Sequence, residues 1–248
     1  GAEGVGVDAQ GNVYGAVAGT VAILVPVLGR AQQIQPLLQS IAGTTAAAYE
    51  VVLIFSPGDD AIHAAKGTDA TVLTTTWPAG RADYAKKLTL GFQRTEQPWI
   101  FQGATDLVFH PNWDTEAFKI VKQTHAGVIG TNDLGNPMVK RGTHSTHSLI
   151  SREYINTWGG TADGSGLIFS EAYDHQWSDS EFIETARRRR QFAFARKSIV
   201  EHLHPHWGKG EMDDTYEKAH RETEQDVKLF MRRRGAVTRL DTERRRAR

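Results

Sequence analysis

The strongest constraint in this sequence is an alternation of continuous apolar runs with helix-like segments over residues 21–103. The runs VAILVPV and VVLIF, at residues 21–27 and 51–55, have the length and unbroken hydrophobicity of strands buried on both faces. Between them, apolar residues recur at steps of three and four, as in an amphipathic helix. A third run at residues 70–74 completes a β-α-β-α-β series, which predicts an α/β fold with a mostly parallel sheet and right-handed crossovers.

The rest of the chain continues this alternation less regularly. A polar, glycine-rich stretch at residues 143–166 is typical of strand and loop material that folds over a site. We expect helices at residues 82–94, 115–123, 179–195 and 213–234, and strands at residues 99–102, 107–109, 126–130 and 198–204. The predicted parts are a flexible leader or loose strand pair (residues 1–20), a main domain (residues 21–212) and a C-terminal helix with a basic tail (residues 213–248).

The bulk composition argues against several classes of protein. Lys plus Arg and Asp plus Glu both number 29, so no net charge attracts the chain to nucleic acid or to a membrane surface. The absence of cysteine removes disulfides, thiolate metal sites and a cysteine nucleophile. Because the longest apolar run, residues 21–28, is too short to span a bilayer, we expect a soluble cytoplasmic protein with no membrane partner. The basic tail beyond Lys228 is expected to be a solvated end.

Two groups of residues are candidates for metal binding. Asp106 follows directly after a predicted central strand, where ligands meet a parallel sheet, and carboxylate oxygens suit Mg²⁺ and Mn²⁺. A lone aspartate in a turn is also an ordinary turn former. His202 and His204 are two residues apart in a predicted strand, so they share a face and form a possible pair of ligands. The same pair is equally compatible with an exposed strand end that binds nothing.

Asp179 is the candidate general base. It stands at the start of a predicted helix, where a carboxylate either caps the helix or takes a proton from an attacking hydroxyl. The HxxH spacing of THSTH lacks the glutamate of a zinc protease, so His144 is interpreted as a residue that lines a sugar or phosphate pocket. The four arginines at residues 187–190 surround a helix, and at most one of them is expected to reach a phosphate.

Taken in order, these segments resemble glycosyltransferase family 2 and its GT-A relatives, particularly small phage-encoded and bacterial members, over residues 21–234. VAILVPVLGR is similar to the first strand of such enzymes, and GRADYAKKLTLGF to the basic helix after their third strand. QGATDLVFHPNW resembles their metal-binding DxD turn. WSDSEF resembles the acidic motif that supplies the base, and VEHLHP the late histidine that completes the metal site in some relatives.

The resemblance implies a GT-A fold and transfer of a sugar from a nucleoside-diphosphate-sugar, such as a UDP-sugar, with Mn²⁺ or Mg²⁺ as cofactor. Residues 21–103 would form the nucleotide-binding half and residues 104–212 the metal and acceptor half. Asp106, with His202 or His204, would hold the cation, and Asp179 would be the base of an inverting reaction. The implied nucleotide contacts are Pro26, Arg30, Ser56, Asp59, Arg81, Lys86, Ala104 and Thr105.

Two departures from the family pattern bear on activity. Ala104 stands where the DxD motif begins with an acid, and Phe55 and Ser56 stand where the family often has two aspartates. A non-catalytic nucleotide- or sugar-binding module is therefore the alternative function. A nucleotidyltransferase is a third, disfavoured because no glycine-rich phosphate loop with a lysine follows the first strand.

The expected acceptor follows from what the sequence lacks. Family members that polymerise glycans carry membrane helices near the carboxyl end, and no such run is present here. We therefore expect the acceptor to be a protein, a small molecule or modified DNA. The phage-like resemblance favours virion proteins or phage DNA in the host cytoplasm, and the sequence leaves the oligomeric state open.

Overall fold

The computed structural model describes residues 5–7, 13–15, 20–235 and 241–242. Two short strands, β1 (Val5–Val7) and β2 (Val13–Gly15), pair antiparallel. A loose strand pair was one of the two alternatives predicted for the first 20 residues. The rest of the predicted leader lies outside the described residues. Most of the predicted basic tail, residues 236–240 and 243–248, also lies outside them.

The first half of the main domain is the predicted β-α-β-α-β series. Its elements are β3 (Val21–Pro26), α1 (Ala31–Thr44), β4 (Tyr49–Phe55), a 3₁₀ helix (Asp60–Ala65), β5 (Thr71–Thr74) and α2 (Asp83–Gln93). β4 pairs in parallel with both β3 and β5. The carboxyl ends of these strands therefore lie along one edge of the sheet.

The second half combines parallel and antiparallel strands. Its elements are β6 (Trp99–Gln102), β7 (Leu107–Phe109), α3 (Trp113–Thr124), β8 (Val128–Asn132), α4 (Pro137–Lys140), β9 (Ser148–Ser151), α5 (Arg152–Trp158), α6 (Ser178–Arg188), β10 (Phe192–His202), a 3₁₀ helix (Pro205–Trp207) and α7 (Asp214–Arg233). The sheet order is β5-β4-β3-β6-β9-β8-β10-β7. β6 joins β3 in parallel, whereas β9 runs antiparallel to both its neighbours and β7 runs antiparallel to β10. The predicted α/β class is confirmed, with a mixed second half.

Helices cover both faces of this sheet. Alternate residues of β3 belong to two separate apolar clusters, one on each face. α1 and α3 pack on one face, where Phe101, Phe109 and Trp113 make mutual edge contacts with ring centroids 4.9–5.1 Å apart. α2, α5 and α6 pack on the other face. None of the described helices combines the length and apolar character needed to cross a bilayer.

Several element boundaries in the second half differ from the predictions, and helix α5 was not predicted. The helix predicted to run to residue 195 ends at Arg188, because Arg190 has a left-handed φ of 59° and the chain enters β10 at Phe192. β10 ends at His202, so the predicted strand through residue 204 is wrong at its end. α5 lies in a segment that we expected to be strand and loop. The alternating apolar residues that open β10 are held by β8, a strand about 60 residues earlier in the chain.

α7 is fastened to the loop before α6. The carboxylate of Asp226 is buried and accepts hydrogen bonds from three consecutive backbone N–H groups, those of Asp174, His175 and Gln176, at 2.8–2.9 Å. Farther along the helix, Arg233 donates to Glu181 at 2.8–2.9 Å and to Asp163 at 2.8 Å. The described part of the predicted basic tail is thus partly paired with acidic side chains.

Replacing Asp226 with alanine is expected to destabilise the fold strongly. Three part-buried backbone N–H groups would lose a charged acceptor, at a cost of about 3–5 kcal/mol. For a chain of this length, that loss lowers the melting temperature by about 10 °C. Scanning calorimetry of D226A measures the change, with E224Q, an exposed substitution on the same helix, as the control. Equal melting temperatures for the two variants would contradict this account of the anchor.

Candidate functional site

Asp106 is the centre of a buried polar cluster at the carboxyl edge of the sheet, in the turn between β6 and β7. Its Oδ2 accepts hydrogen bonds from Arg30 Nη1 at 3.0 Å and from the Tyr216 hydroxyl. Its Oδ1 lies 3.5 Å from His202 Nε2 and has no hydrogen-bond partner among the described residues. Burial would raise the pKa of Asp106, but His202, Tyr216 and Arg30 hold it well below the usual range. Asp106 is therefore ionised.

Three neighbouring elements hold the Asp106 turn in place. Gly103 approaches β3 so closely that a Cβ there would lie 3.1 Å from the carbonyl oxygen of Leu24. The Gly103 carbonyl accepts a hydrogen bond from the Tyr84 hydroxyl of α2 at 2.9 Å. The Thr105 hydroxyl donates to Gln33 of α1 at 2.9 Å. The predicted contact residues Ala104 and Thr105 thus lie in a turn tied to β3, α1 and α2.

Arg30 reaches Asp106 from the start of α1. Its backbone has a left-handed φ of 57°, a conformation that costs energy for any residue except glycine. Its guanidinium forms a two-pronged contact with Asp213, Nε to Oδ2 at 2.6 Å and Nη2 to Oδ1 at 2.8 Å, and lies 4.4 Å from the centre of the Tyr216 ring. The Arg30 guanidinium is therefore held between the carboxylates of Asp106 and Asp213 at the edge of the sheet.

Of the two histidines predicted as metal ligands, His202 is the one that faces the Asp106 carboxylate. His204 lies beyond the end of β10, where its Nδ1 accepts a hydrogen bond from the His206 N–H at 3.0 Å, and its ring packs 4.5 Å from that of Tyr216. Burial and the charge of His202 lower the pKa of His204 to about 4. His204 is therefore neutral at pH 7.

His147 is a third imidazole in this cluster. Its ring makes an edge contact with that of His202, with centroids 5.0 Å apart, and its Nδ1 donates to the Gln102 carbonyl at 3.0 Å. The remaining nitrogen, Nε2, is buried without a hydrogen-bond partner among the described residues. Burial, with the charge of His202, lowers the pKa of His147 to about 4. Nε2 therefore presents a lone pair next to His202 at neutral pH.

Asp179 lies in the first turn of α6 and contacts His144, whose Nε2 is 3.2 Å from Asp179 Oδ2. Burial would raise the pKa of Asp179, but the contact with His144 lowers it overall. Burial raises the pKa of the Tyr84 phenol, and the charges of Asp106 and Asp179 raise it further. Both carboxylates therefore contribute to the electrostatics at Tyr84, whose hydroxyl contacts the Asp106 turn.

Pro26, Ser56 and Asp59 lie at the ends of neighbouring strands. Pro26 is the last residue of β3, and Ser56 follows β4 with a buried hydroxyl that has no hydrogen-bond partner among the described residues. Asp59 accepts the Gly29 N–H at 2.9 Å, which connects the loop after β4 to the loop after β3. This edge is where the sequence placed the nucleotide base.

The contacts of the basic residues Arg81 and Lys86 are with other parts of the chain than the Asp106 turn. Arg81 pairs with Asp174 at 3.0 Å and donates to the Ala172 carbonyl, while Lys86 donates to the Arg81 carbonyl at 3.2 Å. Arg81 thus engages the loop before α6, whereas Lys86 contacts the chain just before α2. The adjacent Lys87 is fully buried, and its Nζ contacts Asp83 at 2.7 Å and the carbonyl oxygen that follows β3 at 2.6 Å.

Asp213, Tyr216 and His147 were not among the predicted site residues. Asp213 carried only the signal of a helix cap, and it does cap α7 by accepting the Tyr216 N–H at 3.0 Å. The helix predicted for residues 213–234 has an amphipathic spacing, and Tyr216 is one of its apolar positions. Its hydroxyl contact with Asp106 spans 110 residues, a pairing that helical periodicity does not encode.

The donor atoms at Asp106 suit a divalent cation, although the site is not fully assembled. Among the described residues, no three His, Cys, Asp or Glu side chains are grouped so as to hold a metal ion. Asp106 Oδ1 is nevertheless a buried carboxylate oxygen without a hydrogen-bond partner in the described chain, and the Nε2 atom of His202 faces it. One carboxylate and one imidazole would leave the other positions to water and phosphate oxygens, and a coordination by few protein carboxylates with several waters and substrate phosphates is usual for Mg²⁺.

Comparisons with known proteins find similarity in structure alone. No protein-family profile matches the sequence, and no curated protein sequence matches it. Glucosyl-3-phosphoglycerate synthase from Mycobacterium tuberculosis, solved with Mn²⁺, UDP and glucosyl-3-phosphoglycerate, aligns with a TM-score of 0.58 and 13% identity over 87% of this chain and 80% of that one. A mannosyltransferase from Pyrobaculum calidifontis, solved with GDP-mannose and Mn²⁺, aligns with a TM-score of 0.62 and 15% identity. The alignment covers 90% of this chain and 66% of that one.

A third solved structure extends the same similarity. S. aureus TarS in complex with UDP aligns with a TM-score of 0.56 and 12% identity over 73% of this chain and 59% of that one. At these identities the comparisons establish the fold and nothing finer. The chain has the GT-A fold, as its sequence predicted.

Proposed function

We propose that this chain is a metal-dependent glycosyltransferase that moves a sugar from a nucleoside-diphosphate-sugar to an acceptor hydroxyl. The observation that carries the proposal is the buried Asp106 carboxylate, with His202 3.5 Å away and the Arg30 guanidinium 3.0 Å away, at the ligand-binding edge of a GT-A sheet. A divalent cation held there by Asp106 and His202 would supply positive charge that stabilises a departing diphosphate. The Mn²⁺ and nucleotide complexes of the structural neighbours support the same donor class.

Arg30, Asp179, Ser56 and Asp59 have further roles in this reaction. Arg30 offers a planar fork of N–H donors that matches two phosphate oxygens. Asp179, ionised and held by His144, takes the proton from the attacking hydroxyl. Inversion at the sugar carbon requires only this one base and no covalent intermediate, so the proposed reaction is inverting. Ser56 and Asp59 contact the nucleotide base or ribose.

The acceptor belongs to the classes proposed from the sequence, namely a protein, a small molecule or modified DNA. Phosphoglycerate is the acceptor-side ligand in complexes of one structural neighbour, which shows that the fold accommodates small anionic acceptors. Virion proteins and phage DNA are the acceptors that the phage-like sequence resemblance favours. Incubation of the enzyme and a labelled donor with one representative of each class distinguishes them.

A thermal-shift screen of nucleoside diphosphates with Mn²⁺ or with a chelator tests the proposed function. A ligand present at 100 times its dissociation constant stabilises the folded state by about 2.7 kcal/mol. This gain corresponds to a rise in melting temperature of about 5–10 °C. We expect UDP or GDP to produce this rise in Mn²⁺ and not in the chelator. A flat response to every nucleotide would refute the proposal.

The second candidate function is a nucleotide- or sugar-binding module without catalysis. It is favoured by one observation: the Asp106 carboxylate already contacts Arg30 and Tyr216, and the described residues contain no assembled three-ligand metal group. Such a module would bind the diphosphate in the screen but release none from an intact nucleotide-sugar. Measuring diphosphate release from UDP-glucose and GDP-mannose in Mn²⁺ separates the two functions.

A further inference from the structure

The first turn of α7 covers the groups that the proposed function assigns to the donor. Asp213 places its two carboxylate oxygens on Arg30 Nε and Nη2, at 2.6 and 2.8 Å. A phosphate engages a guanidinium through the same pair of parallel contacts. Asp213 therefore occupies the position on Arg30 that a donor phosphate would take.

Tyr216, one turn into the same helix, covers the other half of the site. Its hydroxyl donates to Asp106 Oδ2, the oxygen that also accepts from Arg30. A cation bound between Asp106 and His202 would repel the Arg30 guanidinium, because both are positive and would share one carboxylate. A phosphate that binds with the cation would replace Asp106 and Asp213 as the acceptor of the Arg30 hydrogen bonds.

The rest of α7 is held independently of this first turn. Its anchors, Asp226 and Arg233, bind the loop before α6 and the start of that helix. Asp226 is 13 residues beyond Asp213, a separation of about 20 Å along a helix. Helix ends open locally at low cost while buried contacts persist. The first turn can thus release the site while the helix stays attached.

We propose that the segment from Asp213 to Tyr216 is a latch that occupies the donor site in the ligand-free protein, and that a cation with a nucleoside diphosphate displaces it. The inference rests on the proposed function, since the displaced contacts are those assigned to the donor. In the closed position, Tyr216 and Arg30 occupy Asp106 Oδ2, the oxygen beside the one that faces His202. Donor affinity is then reduced by the fraction of molecules in which the latch is closed.

Calorimetric titration of UDP and GDP in Mn²⁺ into wild type, D213N and Y216F tests the latch. Asparagine retains the cap on α7 but loses the charge that binds Arg30, so we expect D213N to bind about 5- to 30-fold more tightly than wild type. Y216F is expected to bind a few-fold more tightly. The matched control is E224Q, an exposed carboxylate-to-amide change on the same helix, which leaves the affinity unchanged.

Hydrogen exchange provides a readout that does not depend on the variants folding well. In wild type, UDP with Mn²⁺ should speed exchange of the amides in the first turn of α7 and leave those near Asp226 unchanged. If wild type binds and neither variant binds more tightly, or if the first turn becomes more protected, the latch is wrong and the proposed function stands. If no protein binds either nucleotide, the proposed function fails, and the latch fails with it.

Discussion

Asp106→Asn is expected to lower metal-dependent release of nucleoside diphosphate from a nucleotide-sugar at least about 1000-fold. The amide keeps the size of the side chain but removes the negative charge that would hold the cation. Loss of the cation removes several kcal/mol of stabilisation from the departing diphosphate, and about 4 kcal/mol corresponds to a factor of 1000 in rate. Diphosphate release from UDP-glucose or GDP-mannose, measured over a range of Mn²⁺ concentrations, gives the size of the effect.

The matched control for this variant is D69N, which makes the same chemical change at an exposed position. Its rate should equal that of wild type. We expect D106N to fold, since Arg30 keeps its contact with Asp213 in that variant. Circular dichroism checks this. A rate for D106N within tenfold of wild type, at saturating Mn²⁺, would remove Asp106 from the metal site.

Asp179→Asn is expected to slow sugar transfer about 10²- to 10⁴-fold, the usual contribution of a general base. Binding of the diphosphate should be unchanged, because Asp179 contacts His144 and no group assigned to the donor. Burial would raise the pKa of Asp179, but the contact with His144 lowers it overall, so the base is ionised at neutral pH and transfer should lose rate only in acid. Steady-state kinetics of D179N against wild type, with binding measured in parallel, separates the two effects.

If D179N transfers sugar at the wild-type rate, Asp179 is not the base, and its role is to stabilise the start of α6. The control is Glu171→Gln, an exposed carboxylate-to-amide change in the loop before α6. Replacing His144 with asparagine should produce a smaller loss than D179N, because His144 holds Asp179 in place and lowers its pKa, whereas Asp179 itself takes the proton.

The sequence was most informative where local pattern and tertiary environment agree. The runs that became β3 and β4 are buried on both faces, so their unbroken hydrophobicity identified them as parallel strands. β9 and α5 could not be located in the same way. β9 inserts antiparallel between β6 and β8, a placement decided by pairings across about 50 residues of chain, and α5 begins immediately after it.

The candidate site was predictable to the same extent. Asp106 and His202 were found because each stands at or just after a strand end, and the structure brings them to 3.5 Å. His204 was paired with His202 on the assumption that the strand continued, but the strand ends at His202. The contacts of Asp213 and Tyr216 depend on how α7 docks across the sheet edge, which no periodicity within the helix specifies.

The most direct test of the account is a crystal structure with UDP or GDP and Mn²⁺, with diffraction data collected at the manganese absorption edge. The anomalous signal locates the cation without reference to any assumed chemistry. We predict a single strong peak within about 2.5 Å of both the Asp106 carboxylate and His202 Nε2, in contact with the diphosphate. Nucleotide bound at the sheet edge with manganese absent from Asp106, or held by other side chains, would contradict the central claim.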